Sequence, residues 1–196
     1  MTEPPISWFP IAPRASLSPE TRALFDQVEE KLGFVPNVFV AFAWREARFR
    51  KWLAHFDDLM EGTGGLGKAE REMISVAVSM ANQCLYCLTA HGFAVRALLR
   101  DPVLGDRVTL DYRRAGLSGR HVAMLDYAVK LTKEPAACGP DDIAALRAHG
   151  FSDEDIWDIA EVAAMFNFTN RLASATGMLP NPEYHGMARV PRQAST

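Results

Sequence analysis

The sequence is poor in cysteine and has no long apolar run, and both absences narrow the class of protein. Its 196 residues include three cysteines, too few and too unevenly spaced for the disulfide framework of a secreted domain. No segment approaches the roughly 20 consecutive apolar residues that a membrane span needs. The first residues carry neither basic residues nor the apolar core of a signal peptide. We therefore expect a cytoplasmic protein with no membrane partner.

Neither basic nor acidic residues are concentrated in one segment, and sequence patterns typical of β-strands are also missing. The 21 basic and 24 acidic residues are mixed along the chain, so no block would bind nucleic acid. Alternating β-branched runs bounded by turns do not occur, which predicts an all-α fold. With 48% hydrophobic residues, the chain can bury one substantial core. We predict a single domain over residues 1–196.

Proline, glycine and apolar spacing predict the order of the helices. Prolines near the amino end predict an extended N-terminal arm over residues 1–17, and its apolar side chains are expected to be buried, namely Ile6, Trp8, Phe9 and Ile11. Apolar residues spaced three and four apart, with cap residues, predict helices over residues 18–33, 38–60, 68–81, 84–100, 118–132, 139–149 and 152–175. The glycine cluster at 62–67 lacks the strand and the Lys-Ser/Thr of a phosphate loop, so we expect a flexible loop there.

The chemistry of the chain is concentrated around one Cys-x-x-Cys pair. Cys84 and Cys87 can close a disulfide within one helical turn, and His91 returns to the same helix face four residues later. Glu72 precedes them by twelve residues. Two thiols, a base and an acid predict a thiol-based oxidoreductase.

The position of a turn decides whether these residues can meet. In one straight helix Glu72 would lie about 28 Å from His91, at ~1.5 Å rise per residue. A reversal at Asn82 and Gln83 would instead bring the acid and the imidazole level across a helical hairpin. The same break would put both cysteines in the first turn of the second helix, where the helix dipole lowers a thiol pKa from about 8.5 toward about 7.

Each of these residues also has an ordinary interpretation. Buried cysteines are common small hydrophobes, His91 alone resembles a surface histidine, and Glu72 lies in a charged run. Cys138 has no local partner, and the remaining histidines are expected at the surface, namely His55, His121, His149 and His185. Haem attachment is excluded because Leu88, not histidine, follows the second cysteine. A three-ligand zinc site completed by Glu72, or a purely structural oligomer, stays open as the non-redox alternative.

An internal repeat is visible when the chain is shifted by 85 residues. Residues 66–92 then lie over 151–177 without a gap, and five positions are identical, including Asn82 with Asn167 and Gly92 with Gly177. In the second copy Thr169 and Leu172 stand where the cysteines stand in the first. We therefore predict a redox-active helical unit at about 66–100 and a degenerate repeat at about 151–177.

These residues resemble the alkylhydroperoxidase D group of the carboxymuconolactone decarboxylase superfamily, and more closely its peroxidase-related branch. The resemblance runs from about residue 6 to 180. It includes the spacing Glu-x11-Cys-x2-Cys-x3-His and the segments Gly33-Phe-Val-Pro-Asn37, Asp111-Tyr-Arg-Arg-Ala115 and Phe166-Asn-Phe-Thr-Asn-Arg171. It implies an all-helical fold of duplicated helical-hairpin units and a homo-oligomer, either a trimer or a hexamer. Tyr86 departs from the pattern, because a second histidine commonly stands between the cysteines.

The combined interpretation is a thiol-dependent hydroperoxide reductase. Cys87, deprotonated by His91 with Glu72 as its orienting acid, attacks the peroxide, and Cys84 resolves the product as a disulfide. Nothing in the chain binds a nicotinamide or a flavin, so we expect no cofactor. An external dithiol, either a small protein or of the lipoyl type, must then reopen the disulfide. A general disulfide exchanger or redox sensor using the same cysteines is the alternative.

Overall fold

The computed structural model describes residues 5–62 and 64–190, and within these ranges the secondary structure is helical, without a strand. The all-α prediction is confirmed. Over the described residues the helices are α1 (Pro19–Leu32), α2 (Asn37–Phe42), α3 (Glu46–Glu61), α4 (Lys68–Ala81), α5 (Leu85–Leu99), α6 (Pro102–Asp111), α7 (Gly119–Lys133), α8 (Pro140–Ala148) and α9 (Asp153–Ala175). None of these helices is both long and apolar enough to cross a membrane.

The N-terminal arm lies on the surface at the end of α9, and its first four residues fall outside the described part of the chain. The Ser7 hydroxyl and the Trp8 amide both donate to the carbonyl of Thr176, at 2.9 and 2.8 Å. These hydrogen bonds bury Ser7 and turn the neighbouring rings outward. Trp8 is 74% exposed and Phe9 is 46% exposed, so the expectation that both are buried is wrong.

Most helix ends follow their predicted caps, and two differences have clear causes. The Ser18 hydroxyl accepts from the Thr21 amide at the start of α1, which ends at Gly33 with φ of 84°. The helix predicted over 38–60 is instead α2 and α3, joined by the 3-10 turn Ala43–Arg45. The sequence prediction missed α6, although Asp101 caps it with Pro102 in its first turn.

Aromatic packing explains the break between α2 and α3. In a continuous helix, residues ten apart would be separated by about 15 Å. The break folds α3 back, so that Phe42 meets Trp52 with ring centroids 4.8 Å apart and Phe39 meets Phe49 at 5.3 Å. Contact between these rings favours the folded-back arrangement over a continuous helix.

The reversal predicted at Asn82 and Gln83 is present between α4 and α5. Gln83 adopts a left-handed conformation with φ of 54°. Its amide donates to the Met80 carbonyl at 3.1 Å, and the Cys84 amide donates to the Ser79 carbonyl at 3.0 Å. This pair of bonds is the Schellman arrangement that closes a helix C-terminus. It turns the chain so that α5 packs back along α4.

The second copy of the repeat does not turn at the matching place. Residues 153–175 form the continuous helix α9, in which Phe168 and Thr169 occupy the places of Gln83 and Cys84. A bulky aromatic residue is disfavoured in the left-handed conformation that the turn requires. α9 packs against α4 and α7, and the buried core lies between them, with fully buried Ile74, Val78, Leu125, Ile159 and Phe166 among its members.

Candidate active site

The fold-back between α4 and α5 brings Glu72 and His91 into direct contact. Oε2 of Glu72 lies 2.7 Å from Nδ1 of His91. A carboxylate only accepts hydrogen bonds, so Nδ1 carries the proton and Nε2 is left as the basic nitrogen. The Ser75 hydroxyl lies 3.2 Å from the same carboxylate oxygen, and the imidazole stands edge-on against Phe166 at a centroid distance of 4.7 Å. The position of the ring is thus fixed from two sides.

Both cysteines of the pair lie at the amino end of α5, as their spacing predicted. Cys84 is the N-cap residue and Cys87 lies in the first turn, and their exposed fractions are 1% and 2%. Neither is in a disulfide, so the structure represents the reduced pair. The first backbone N–H groups of a helix have no partners within it, and those of Tyr86 and Cys87 favour a thiolate at Cys84, although its side chain makes no capping hydrogen bond.

The two thiols differ in acidity. The thiol of Cys87 above all, and then the Cys87 amide and the Ser174 hydroxyl, favour the Cys84 thiolate and lower its pKa to about 6, although burial opposes them. The Cys84 sulfur and burial raise the pKa of Cys87 well above its usual value, in spite of Asn170 and Ser79. In this pair Cys84 is therefore the more acidic thiol, chiefly because of the Cys87 thiol and with help from backbone amides of the first helical turn, whereas the sequence did not distinguish the two positions.

Cys87, Glu72 and His91 line one cavity of about 220 Å³, here called the His91 cavity. Its other walls are mostly apolar and aromatic and include Val38, Phe39, Trp52, Phe56, Phe93 and Tyr184. Beside these apolar walls the local dielectric constant is lowered, which strengthens a hydrogen bond to the imidazole. The cavity can therefore hold a small organic molecule against both a thiol and a base.

Cys84 lines a different cavity of about 300 Å³ on the other side of the pair. This second cavity, here called the Trp8 groove, is lined by Pro5, Trp8, Gln83, Leu85, Ser174 and Leu179 along with Cys84. Tyr86 and Ala173 contribute to both cavities and stand between them. The structure thus brings Cys87, His91 and Glu72 to one cavity and leaves Cys84 facing another.

Tyr86 occupies the place between the cysteines where a second histidine is common in the resembling family. It is buried, and its hydroxyl accepts the Val38 amide at 3.0 Å, which ties α2 to α5. Burial raises its pKa well above the usual value, and burial also raises the pKa of Tyr184 to about 12. Neither phenol ionises near neutral pH. The sequence analysis singled out Tyr86 only as a departure from the family pattern.

Several neighbours of the thiols were not predicted from the sequence. Asn170 donates to the Ser79 hydroxyl at 3.0 Å and accepts from Asn82 at 2.9 Å, which holds α9 against the end of α4. Asn170 lies in the Phe166–Arg171 segment quoted for the family resemblance, but that resemblance gave it no role. Nothing in the sequence indicated that Ser174 and Trp8 lie near Cys84, because they approach it only through the packing of α9 and the arm.

The other candidate ligands and thiols lie apart from this site. Cys138 is half-buried near Tyr127 and Asp142, and burial raises its pKa. Nδ1 of His149 lies 2.8 Å from the Ala145 carbonyl, and His121 lies 3.3 Å from the Glu70 carboxylate. Within residues 5–62 and 64–190, no three side chains of the His, Cys, Asp or Glu type are arranged to hold a metal ion. The geometry gives the zinc alternative no support.

Comparison with known proteins agrees with this architecture. Residues 47–108 match the carboxymuconolactone decarboxylase family. A peroxidase-related protein of Ralstonia eutropha JMP134, described as an alkylhydroperoxidase AhpD core, is 46% identical with a TM-score of 0.93, covering 97% of this chain and all of the other. A peroxidase-related protein of Silicibacter sp. TM1040 is 49% identical with a TM-score of 0.91, covering 96% of this chain and 100% of the other.

A more distant structure shares the fold alone. The debrominase Bmp8, in complex with 2,3,4-tribromopyrrole, is 16% identical with a TM-score of 0.77, covering 94% of this chain and 95% of its own. A debrominase is not a peroxidase, so the fold by itself does not define the reaction. A search of curated protein sequences finds no match.

Proposed function

This chain belongs to the alkylhydroperoxidase D-like group of the carboxymuconolactone decarboxylase superfamily, and from that premise we propose that it reduces hydroperoxides with its own cysteine pair. The single observation that carries the proposal is the 2.7 Å contact of Glu72 with His91 in the cavity that also contains Cys87. A thiol, a base and an orienting acid around one small apolar space are suited to peroxide reduction, because the base can take the thiol proton and return it to the leaving alkoxide.

In the first step Cys87 is oxidised. His91 takes the thiol proton at Nε2, and the sulfur attacks one peroxide oxygen, breaking the O–O bond. The leaving alkoxide receives the proton from His91, so that one hydroperoxide yields an alcohol and a Cys87 sulfenic acid. Glu72 holds Nδ1 and stabilises the imidazolium that forms between the two proton transfers. The raised pKa of Cys87 explains why a positioned base is needed at this sulfur.

In the second step Cys84 closes the disulfide. The Cys84 thiolate is favoured by the amides of Tyr86 and Cys87 and by the Ser174 hydroxyl, contacts that do not depend on the Cys87 thiol. Its sulfur attacks Cys87, and the hydroxide leaves as water with a proton delivered through His91. The disulfide then takes two electrons from an external dithiol, either a small protein or a lipoyl-type group, which restores both thiols.

Single-cysteine variants test this order of events. Cys87→Ser is expected to abolish consumption of cumene hydroperoxide, whereas Cys84→Ser is expected to oxidise once and then stop. The oxidation is followed by stopped-flow, and the stalled sulfenic acid by its reaction with dimedone. Cys138→Ser serves as the matched control and should turn over normally. Full turnover in both Cys84→Ser and Cys87→Ser would refute the proposal.

The second candidate is a general disulfide exchanger or redox sensor. The low pKa of Cys84 favours it, because a stable thiolate at a helix terminus is also the mark of disulfide oxidoreductases. This candidate predicts rapid exchange with protein disulfides and a negligible rate with hydroperoxides. Comparing the two rates on one preparation of reduced protein distinguishes the candidates.

We also propose that the protein is a homo-oligomer, a trimer or a hexamer, that works in the cytoplasm. Val103 and Leu110 are seven residues apart on α6 and are 60% and 76% exposed, so a second copy of the chain has an apolar face to cover. A reducing cytoplasm would keep the cysteine pair ready for oxidation. Sedimentation of the wild type and of Leu110→Glu tests the oligomer.

A further inference from the structure

The two sulfurs of the proposed catalytic pair do not share one approach from outside. Cys87 lines the His91 cavity, and Cys84 lines the Trp8 groove, with Tyr86 and Ala173 between the two spaces. A disulfide between the cysteines would therefore present one sulfur to each side. Thiol–disulfide exchange depends on which sulfur the incoming thiolate can reach. Each sulfur thus faces a different space, and the two spaces can serve different reactants.

The walls of the two spaces differ in a way that matches this separation. The His91 cavity is about 220 Å³ and is bounded by aromatic rings and by the Glu72–His91 pair. A negative carboxylate beside it disfavours entry of an anionic thiolate. The Trp8 groove is larger, at about 300 Å³, and its rim carries Trp8 and Leu85, which are 74% and 57% exposed. Large apolar side chains exposed beside a reactive sulfur provide contact area for a partner.

We propose that the reductant enters through the Trp8 groove and attacks Cys84, while the hydroperoxide reaches Cys87 from the His91 cavity. This inference rests on the proposed function. The occupant of the groove is an alkyl dithiol on a slender arm. Cys84 is only 1% exposed, so a thiol fixed on a broad protein surface could not reach it, whereas a methylene chain could lie along Trp8, Leu85 and Leu179.

The exchange balances in two steps. The first thiolate of the dithiol bonds to the Cys84 sulfur, the S–S bond breaks, and its electron pair goes to Cys87, which takes a proton through His91. The second thiol of the dithiol, as thiolate, then attacks the first sulfur of the same dithiol, which is bonded to Cys84 in the mixed disulfide. This attack releases the Cys84 thiolate. The dithiol is oxidised to a cyclic disulfide, and the cysteine pair is reduced by two electrons. A Cys84 pKa of about 6 makes this cysteine a good leaving group in the second step.

The attacked sulfur can be identified directly. The disulfide of the full-length protein is formed with diamide, without any peroxide, and mixed with excess 2-mercaptoethanol. Acid quenching within milliseconds and peptic digestion at acid pH prevent further exchange, and tandem mass spectrometry between residues 84 and 87 locates the adduct. We expect the adduct on Cys84. An adduct on Cys87 would overturn the proposal.

Two variants test the two approaches separately. Trp8→Ala should slow reduction of the diamide-oxidised protein by dihydrolipoamide about tenfold, because it removes the largest apolar wall of the groove. It should leave the rate of oxidation by cumene hydroperoxide unchanged. Phe93→Ala, on the other side, should alter the hydroperoxide rate and leave the dithiol rate unchanged. Trp157→Ala is the matched control, since Trp157 is 69% exposed and lines neither space.

The outcomes separate this inference from the proposed function. If Trp8→Ala and Trp157→Ala had equal effects on reduction by the dithiol, the Trp8 groove would not be the route of the reductant, whatever the rate with hydroperoxide. If a folded protein dithiol such as thioredoxin reduced the protein faster than dihydrolipoamide does, the proposal that the reductant is a dithiol on a slender arm would be refuted. A wild-type protein that is inert to hydroperoxides but is reduced at Cys84 in a Trp8-dependent way would refute the proposed function and still support the groove.

Discussion

Asn82 donates a hydrogen bond from its side-chain amide to the side-chain oxygen of Asn167 at 3.0 Å, and these are the two residues that the 85-residue repeat matches with each other. Equivalent residues of two copies can meet in this way when the paired helices are related by an approximate two-fold axis near the contact. The contact lies between α4 and α9, whose packing forms part of the core. The contact therefore adds structural support to a duplication that rested on five identities.

The asparagine pair should contribute measurably to stability. Because both side chains are partly buried, loss of the bond leaves polar groups without partners. In a double-mutant cycle of Asn82→Ala and Asn167→Ala we expect a coupling free energy of about 0.5–1.5 kcal/mol. Urea denaturation of the four proteins measures it. Strictly additive single effects would show that the two residues do not interact.

Replacement of Glu72 should impair catalysis more than folding. Glu72→Gln keeps the size of the side chain but removes the charge that fixes the proton on Nδ1 of His91. We expect the oxidation rate with cumene hydroperoxide to fall about a hundredfold. Glu70→Gln is the matched control on the same helix, because glutamine still caps the Gly67 amide as Glu70 does. Comparable losses in the two variants would contradict the role of Glu72.

The acidity of Cys84 can be read from its thiolate absorbance. In reduced Cys138→Ala protein we expect a titration with an apparent pKa of about 6, so that the thiolate is present above this pH and is lost as the pH falls through it. Adding Cys87→Ala removes the largest stabilising contact, and the pKa of Cys84 should rise toward its usual value of about 8.5. An unchanged titration would assign the effect to the helix terminus alone.

Tyr86 should act as a structural anchor and not as an acid. Tyr86→Phe leaves the Val38 amide buried without an acceptor, so we expect a loss of about 1–3 kcal/mol in the free energy of unfolding. Because Tyr86 stays protonated near neutral pH, the pH profile of peroxide reduction should keep its shape. Tyr127→Phe, at a hydroxyl without a hydrogen bond among the described residues, is the control and should be nearly neutral.

The left-handed residue between α4 and α5 offers a stabilising substitution. Gln83→Gly relieves the strain of a side chain at φ of 54°, and we expect a gain of about 0.5–1 kcal/mol. Gln27→Gly, at an exposed position inside α1, should instead destabilise by about 1 kcal/mol. Denaturation midpoints of both variants test the contrast. Destabilisation by both would mean that the turn does not require a left-handed residue.

Local signals in the sequence were sufficient for most helices and for the turn that assembles the acid and the imidazole. Ser18, Gly33 and the Asn82–Gln83 break act through bonds to residues within five positions, so their effect is readable from the chain itself. The break in the predicted 38–60 helix was not readable, because Phe42 and Trp52 gain their contact only when the chain has already folded back.

The site could be predicted where its residues lie close to one another in the sequence. Spacing along the chain indicated Cys84, Cys87, His91 and Glu72, and their catalytic roles remain predictions. Of the residues that divide the pair between two spaces Tyr86 is local, but Ala173 and Ser174 come from α9, far along the chain, and Trp8 comes from the arm. No periodic pattern marks such contacts, since they depend on how whole helices dock.

The unbroken course of α9 has a consequence for how this protein can change. Asn170 lies near Cys87, and Ser174 lies near Cys84. Asn170 and Ser174 are one helical turn apart on the same side of α9. An insertion of one residue would rotate everything beyond it by about 100° and withdraw a polar neighbour from a sulfur. In the proposed cycle, a change in the backbone of this helix would therefore alter the surroundings of both sulfurs at once, and with them both the oxidative and the reductive half.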